Sequence, residues 1–199
     1  MPKLDKNNKL FIKETLIPGV LVVERPTFPD ERGFFHEIVR FNDLKETSGI
    51  DFRPVQLSHS VSRPRVIRAI HTEKLNKLIY PVTGKMFTVI VDVRTDSPMF
   101  GKYETFIFDN DDPKSTHKAL FLPAGGIGNS ICVVGNKPVN YVYAVDKYWE
   151  KGNEQGIAWD DPDLAIPWPV KKPIISKRDK NNPRLRDMFP DKFTPTPKG

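Results

Sequence analysis

Nineteen prolines punctuate this 199-residue chain, and more than any other feature they limit what it can fold into. Proline lacks a backbone N–H and clashes with the preceding helical turn, so a chain broken this often cannot hold many long helices. Between the breaks lie ten short apolar segments: VLVVER, GFFHEIV, RPVQLSHS, RVIRAIH, KLIYPV, KMFTVIVDVR, ETFIFD, KALFLP, NSICVV and VNYVYAV. They are too short for helices and rich in β-branched and aromatic residues, which marks them as strands. In the clearest, Lys85–Arg94, Phe87, Val89, Val91 and Val93 alternate with Met86, Thr88, Ile90, Asp92 and Arg94, so one face is apolar and the other ends in charge. The pattern predicts an all-β body of the jelly-roll kind, a β-sandwich or barrel. Helix is expected only after Asp160 and around Pro183–Met188.

Length predicts one domain with an extension: a body over residues 1–169 and a basic, proline-rich, partly helical C-terminal piece over 170–199. No run approaches the roughly 18 apolar residues of a membrane-spanning helix, and MPKLDKNNKLF lacks a signal peptide's apolar stretch. A cytoplasmic chain with no membrane partner is therefore expected. The single cysteine, Cys132, has no internal partner, which suits a reducing compartment. The net charge of +6 suggests a polyanion partner, but residues 170–199 carry nine Lys/Arg against three Asp/Glu and hold the whole excess. With no recognisable motif and no interleaved aromatics, nucleic-acid binding has little beyond charge to recommend it.

Four histidines and no cysteine cluster leave a short list of chemistries. A jelly-roll metal site needs converging imidazoles, commonly beginning with His-x-His, and His71-Thr72-Glu73 breaks that pattern, so no metal is expected. The stretch RVIRAIHTEKLNKLIY gathers Arg68, His71, Lys74 and Lys77 on two neighbouring strands. Such cations either fan into solvent or line a groove for an anion, because unpaired burial is costly. Strict alternation sends Arg68 and His71 to opposite faces, so a shared site requires a bulge or a strand end between them.

Seven fragments then occur in a fixed order: DERGFFHE (30–37), QLSHSVS (56–62), VIRAIH (66–71), KLIYPVTGKMFTVIVDVRTDSPMFGKY (77–103), LPAG (122–125), YAVDKYW (143–149) and WDDPDLAIPWP (159–169). Together with SKRDKNNPRLRDMF in the tail, they resemble the dTDP-4-dehydrorhamnose 3,5-epimerase family of nucleotide-sugar epimerases. The resemblance runs from about Leu16 to Met188. It implies a cupin-like jelly roll, a homodimer without cofactor or metal, and a nucleotide-diphosphate sugar as substrate. The implied chemistry removes the proton beside a ketone, forms an enolate and returns a proton to the opposite face.

Under the resemblance His71 is the base, a task for which histidine is the natural side chain, and Asp161 of WDDPD is its orienting carboxylate. Taken alone, Asp161 reads as a helix N-cap or turn residue. Tyr143 is the implied acid, although Tyr141 and Tyr143 also suit an ordinary half-buried strand. Arg32, Arg68 and Lys77 match positions lining the substrate site, as Arg suits a diphosphate. Glu37, Gln56, Asn129 and Trp149 are further candidates for substrate contact, with the DERGFFHE hairpin reaching across the dimer. Asp92 either joins them or forms a salt bridge to Lys77 or Arg94. The pattern is broken after LPAG, where the family has Phe-Ala-His-Gly-Phe. GIGNS puts Gly128 at the position of the histidine that polarises the ketone, leaving Lys77, Asn129 or Ser130 to replace it. Ser58, Ala69 and Trp149 also depart from the family pattern. The loss of that histidine keeps open a non-catalytic nucleotide-sugar-binding module as the alternative.

Overall fold

All ten apolar segments form strands in the computed structural model, which describes residues 11–110, 117–150, 152 and 154–193. In chain order the strands are β1 (Ile12–Glu14), β2 (Leu21–Glu24), β3 (Thr27–Asp30), β4 (Gly33–His36), β5 (Gln56–Ser62), β6 (Val66–Glu73) and β7 (Lys77–Thr83). They continue as β8 (Lys85–Asp92), β9 (Tyr103–Asp109), β10 (Lys118–Leu122), β11 (Ile127–Val133), β12 (Val139–Val145), β13 (Glu154–Gly156) and β14 (Ile174–Ile175). One sheet runs β1-β2-β10-β7-β12-β5 and the other β13-β6-β11-β8-β9, with β14 joining β6, while β3 and β4 form a separate hairpin. From β5 to β8 successive strands alternate between the sheets, the winding of a jelly roll.

Three apolar clusters fix the layers. Ile79, Leu120 and Tyr141 of one sheet meet Met86, Ile90 and Ile131 of the other between the sheets. The outer face of the second sheet, with Ile67, Phe87, Val89 and Val91, is covered by Leu164, Trp168, Leu185 and Met188. This corrects the reading of β8, since both its faces are buried and even Asp92 is fully enclosed. The basic C-terminal segment is thus part of the covering layer and not a free cationic arm.

The outer face of the first sheet packs against α1 (Phe41–Ser48) through Leu44. This helix was not expected, because eight residues with one buried side chain carry too little periodicity to read. Its one local signal is Gly49, which closes it at φ 72° with its N–H donating to the Lys45 carbonyl. Two short C-terminal helices follow, α2 (Lys177–Lys180) and α3 (Leu185–Met188); the segment directly after Asp160 forms turns.

Under the β3–β4 hairpin, Tyr80 Oη meets His36 Nε2 at 2.7 Å and His117 Nδ1 at 3.2 Å, with the imidazole centroids 4.5 Å apart. Burial lowers the pKa of both histidines from 6.5, and His117 adds repulsion at His36. The unfolded chain therefore takes up these protons first, so this contribution to stability is complete above pH 6.5 and declines as the pH falls below it. Thermal melts between pH 7 and 5 are expected to show Tm falling with acidification, and less steeply in His117→Phe. Equal slopes in the two proteins would refute the assignment.

Candidate active site

Of the two devices that would let Arg68 and His71 share a site, a bulge or a strand end, the bulge is present. Between β6 and β11, His71 faces Asn129 but Arg68 faces Ile131, so three residues on β6 oppose two on β11. This extra residue returns Arg68 and His71 to one side. Both line a cavity of about 220 Å³ with Ser60, Glu73, Lys77, Asn129, Tyr141, Tyr143, Trp149, Glu154 and Arg178.

His71 is held from both sides. Its Nε2 lies 2.9 Å from Asp179 Oδ1 and its Nδ1 lies 3.2 Å from Glu154 Oε1. Arg178 closes around the ring, with Nη2 2.7 Å from Nε2, Nη1 2.9 Å from Glu154 and Nε 3.2 Å from Asp179. Asp179 sits at the third position of α2, its backbone N–H donating to the capping Ser176 Oγ at 3.0 Å. Its side chain is 2% exposed. Burial alone would raise its carboxyl, but the contacts with His71 and Arg178 outweigh this and hold it below the usual range. Glu154 and Arg178 line the cavity and the buried Asp179 does not, so Asp179 has the orienting position.

Asp161, expected in that role, is elsewhere. It is 2% exposed and its carboxylate accepts from the backbone N–H groups of Asp163 (2.8 Å), Leu164 (3.1 Å) and Leu185 (2.6 Å). The turn-capping reading of this residue was the right one, and Asp179 is the carboxylate beside His71.

Lys77 Nζ, 2.7 Å from Glu73 and 3.5 Å from Asn129 Oδ1, lies 4.5 Å from the centre of the Tyr143 ring. Asn129 resolves the break in the pattern after LPAG. It pairs with His71 in register and lines the cavity, whereas a side chain at Gly128 would point the other way, its Cβ 2.7 Å from Ile70 in the outer core. A residue that polarises a ketone must face the cavity. Of these two positions only Asn129 lines the cavity.

Other candidates lie at the rim or outside. The Gln56 side chain accepts from the Trp149 backbone N–H at 3.2 Å and donates to Ser58 Oγ at 2.9 Å. Glu37 is engaged by Arg25 and Arg40, the Arg25 bond foremost in lowering its pKa. Arg32 stands on the hairpin, 84% exposed, 2.6 Å from Asp30. Asp92 is outside the cavity and binds Arg94 and Ser97, the salt-bridge alternative for that residue; against the effect of burial these bonds hold its carboxyl low. Among the described residues, no group of three or more His, Cys, Asp or Glu is placed to hold a metal ion, and no helix is long and apolar enough to cross a membrane.

Comparison with known proteins gives the arrangement its context. The chain is 34% identical over 178 residues to dTDP-4-dehydrorhamnose 3,5-epimerase of Shigella flexneri, covering 87% of this chain and 95% of that one. Its fold superposes with TM-score 0.84 on the 4-keto-6-deoxy sugar epimerase of the novobiocin gene cluster of Streptomyces spheroides, at 28% identity and 94% and 92% coverage of the two chains. A 3'-monoepimerase from Streptomyces bikiniensis, solved with dTDP-quinovose, gives TM-score 0.82 at 30% identity, covering 92% of this chain and 91% of that one. The family model described as dTDP-4-dehydrorhamnose 3,5-epimerase matches residues 14–187, and the chain belongs to that family of isomerases.

Proposed function

We propose that this protein epimerises a nucleotide-linked 4-keto-6-deoxy hexose beside its ketone, using His71 as base and Tyr143 as acid. The observation that carries this reading is the cavity itself, where an imidazole backed by a buried carboxylate shares one wall system with a phenol and an ammonium group. His71 takes the proton from the carbon next to the ketone, and flanking carboxylates stabilise the imidazolium that results. Negative charge then moves to the ketone oxygen, where Lys77 and Asn129 meet it. Tyr143 returns a proton from the other side. A cavity of about 220 Å³ is smaller than the ~300–1,000 Å³ typical of whole-ligand sites, so it takes the sugar while the nucleotide lies across the mouth. Arg68, half-exposed Trp149 and Arg178 are there to receive the diphosphate and base. The reading places the enzyme in the cytoplasm, with deoxysugar biosynthesis. Its test is solvent exchange of the hydrogens beside the ketone of dTDP-4-keto-6-deoxyglucose.

The active form in this proposal is a homodimer. Strand β5 ends its sheet with Leu57 and Val61 exposed, and an apolar groove beside it is lined by Ile38, Phe41, Leu57 and Val142. Long exposed edges and apolar patches of this kind are ordinarily covered by a partner. The neighbouring hairpin exposes Phe34 and Phe35 and carries Arg32, which does not line its own chain's cavity and suits a partner's. Mixing and refolding inactive His71→Ala with inactive Arg32→Ala is therefore expected to restore activity, up to about a quarter of wild type when the chains pair at random. No recovery would place Arg32 outside the partner's site.

A further inference from the structure

Tyr141 carries a phenolic hydroxyl that nothing in the proposed reaction has used. β12 places Tyr141 and Tyr143 two residues apart on one face, with ring centres 5.7 Å apart. Tyr143 is partly open, whereas Tyr141 is 2% exposed and lines the inner part of the cavity. Its Oη meets no geometric hydrogen-bond partner among the described residues; the neighbouring Asn129 amide favours the oxygen as an acceptor, which leaves the phenolic proton without an acceptor. A buried donor left unmade is costly, so the site is built short of one acceptor.

Resting on the epimerase reading, we propose that Tyr141 donates to the C4 oxygen of the sugar, completing with Lys77 and Asn129 the site where the enolate charge forms. The placement follows from the reaction. C4 lies between C3 and C5, the carbons that His71 and Tyr143 must reach, so its oxygen points at the wall between them. That wall is made by β7, β11 and β12, which carry Lys77, Asn129 and Tyr141. Burial, and after it the nearby Glu73 charge, pushes the Tyr141 pKa well above 10, so the hydroxyl keeps its proton at working pH and acts as a donor.

The test is Tyr141→Phe, which removes the oxygen and little else. With dTDP-4-keto-6-deoxyglucose in deuterium oxide, kcat for exchange is expected to fall about 10²-fold, the usual effect of losing one such donor, with KM nearly unchanged. Exchange at C3 and at C5 should slow by the same factor, because both enolates place their charge on the one C4 oxygen. Tm should hold or rise, since an unsatisfied buried hydroxyl has gone. Wild-type rates in Tyr141→Phe, or slowing at only one of two carbons that the wild-type protein exchanges, would overturn the inference while leaving the epimerase reading intact. A lower Tm together with lost activity would mark the hydroxyl as structural and overturn it as well. Absence of exchange in the wild-type protein would end both.

Discussion

Replacing His71 with Ala is expected to slow exchange of the hydrogens beside the ketone by about 10²–10⁴-fold, the usual contribution of a positioned base. The effect falls on kcat, because Arg68, Lys77 and Trp149 still line the cavity and still hold the substrate. The fold survives the change, since Asp179 keeps Arg178 Nε at 3.2 Å and its buried carboxylate is not left alone. Asp179→Asn should follow with a loss of at least ~10²-fold, because an amide no longer favours the imidazolium and can select the wrong ring tautomer. A His71→Ala protein that exchanges at the normal rate would remove the assigned base.

Asp161→Ala is expected to do the opposite, leaving turnover per folded molecule near normal while lowering stability. One carboxylate serves three backbone N–H groups, two in the turn after Asp161 and one at the start of α3. At about 1 kcal/mol or more for each donor left unmade in the interior, the loss is ~3 kcal/mol. For a chain of this size that lowers Tm by about 6–12 °C. The two aspartates thus separate cleanly by calorimetry and kinetics. A cold-stable, inactive Asp161→Ala enzyme with unchanged Tm would restore Asp161 to the catalytic role.

The exchange of roles between Asp161 and Asp179 shows where sequence stops being legible. Strands were readable because side-chain alternation is local; the same alternation showed that Arg68 and His71 could share a site only across a bulge or a strand end, and the structure has the bulge. The RVIRAIHTEKLNKLIY stretch drew attention to Arg68, His71 and Lys77, the resemblance alone added Tyr143, and all four line one cavity. Asp179 was not, because it lies 108 residues from His71 and arrives on a four-residue helix that no periodicity announces. Glu154 likewise reaches His71 only through pairing of β13 with β6. Gly128 and Asn129 show the limit most sharply, since with a period of two neighbouring residues face opposite sides and of the two only Asn129 lines the cavity. With Asn129 facing the cavity, the missing polarising residue no longer argues for a non-catalytic binding module.

Net charge was the least informative feature. The excess sits in the C-terminal segment, where Arg178 is tied to Glu154 and Asp179, and Arg186 to Asp163 at 2.5 Å. Of the cations lining the proposed site, Arg68 and Lys77 lie in the electrically balanced body and Arg178 in that segment.

The most direct test of the account is incubation of the wild-type protein with dTDP-4-keto-6-deoxyglucose in deuterium oxide, with NMR detection resolved at ring positions 3 and 5. The account predicts deuterium at C3, at C5 or at both, formed without added cofactor and suppressed in His71→Ala. Tight binding of the nucleotide sugar with no deuterium at either carbon, for this and other 4-keto nucleotide sugars, would contradict it.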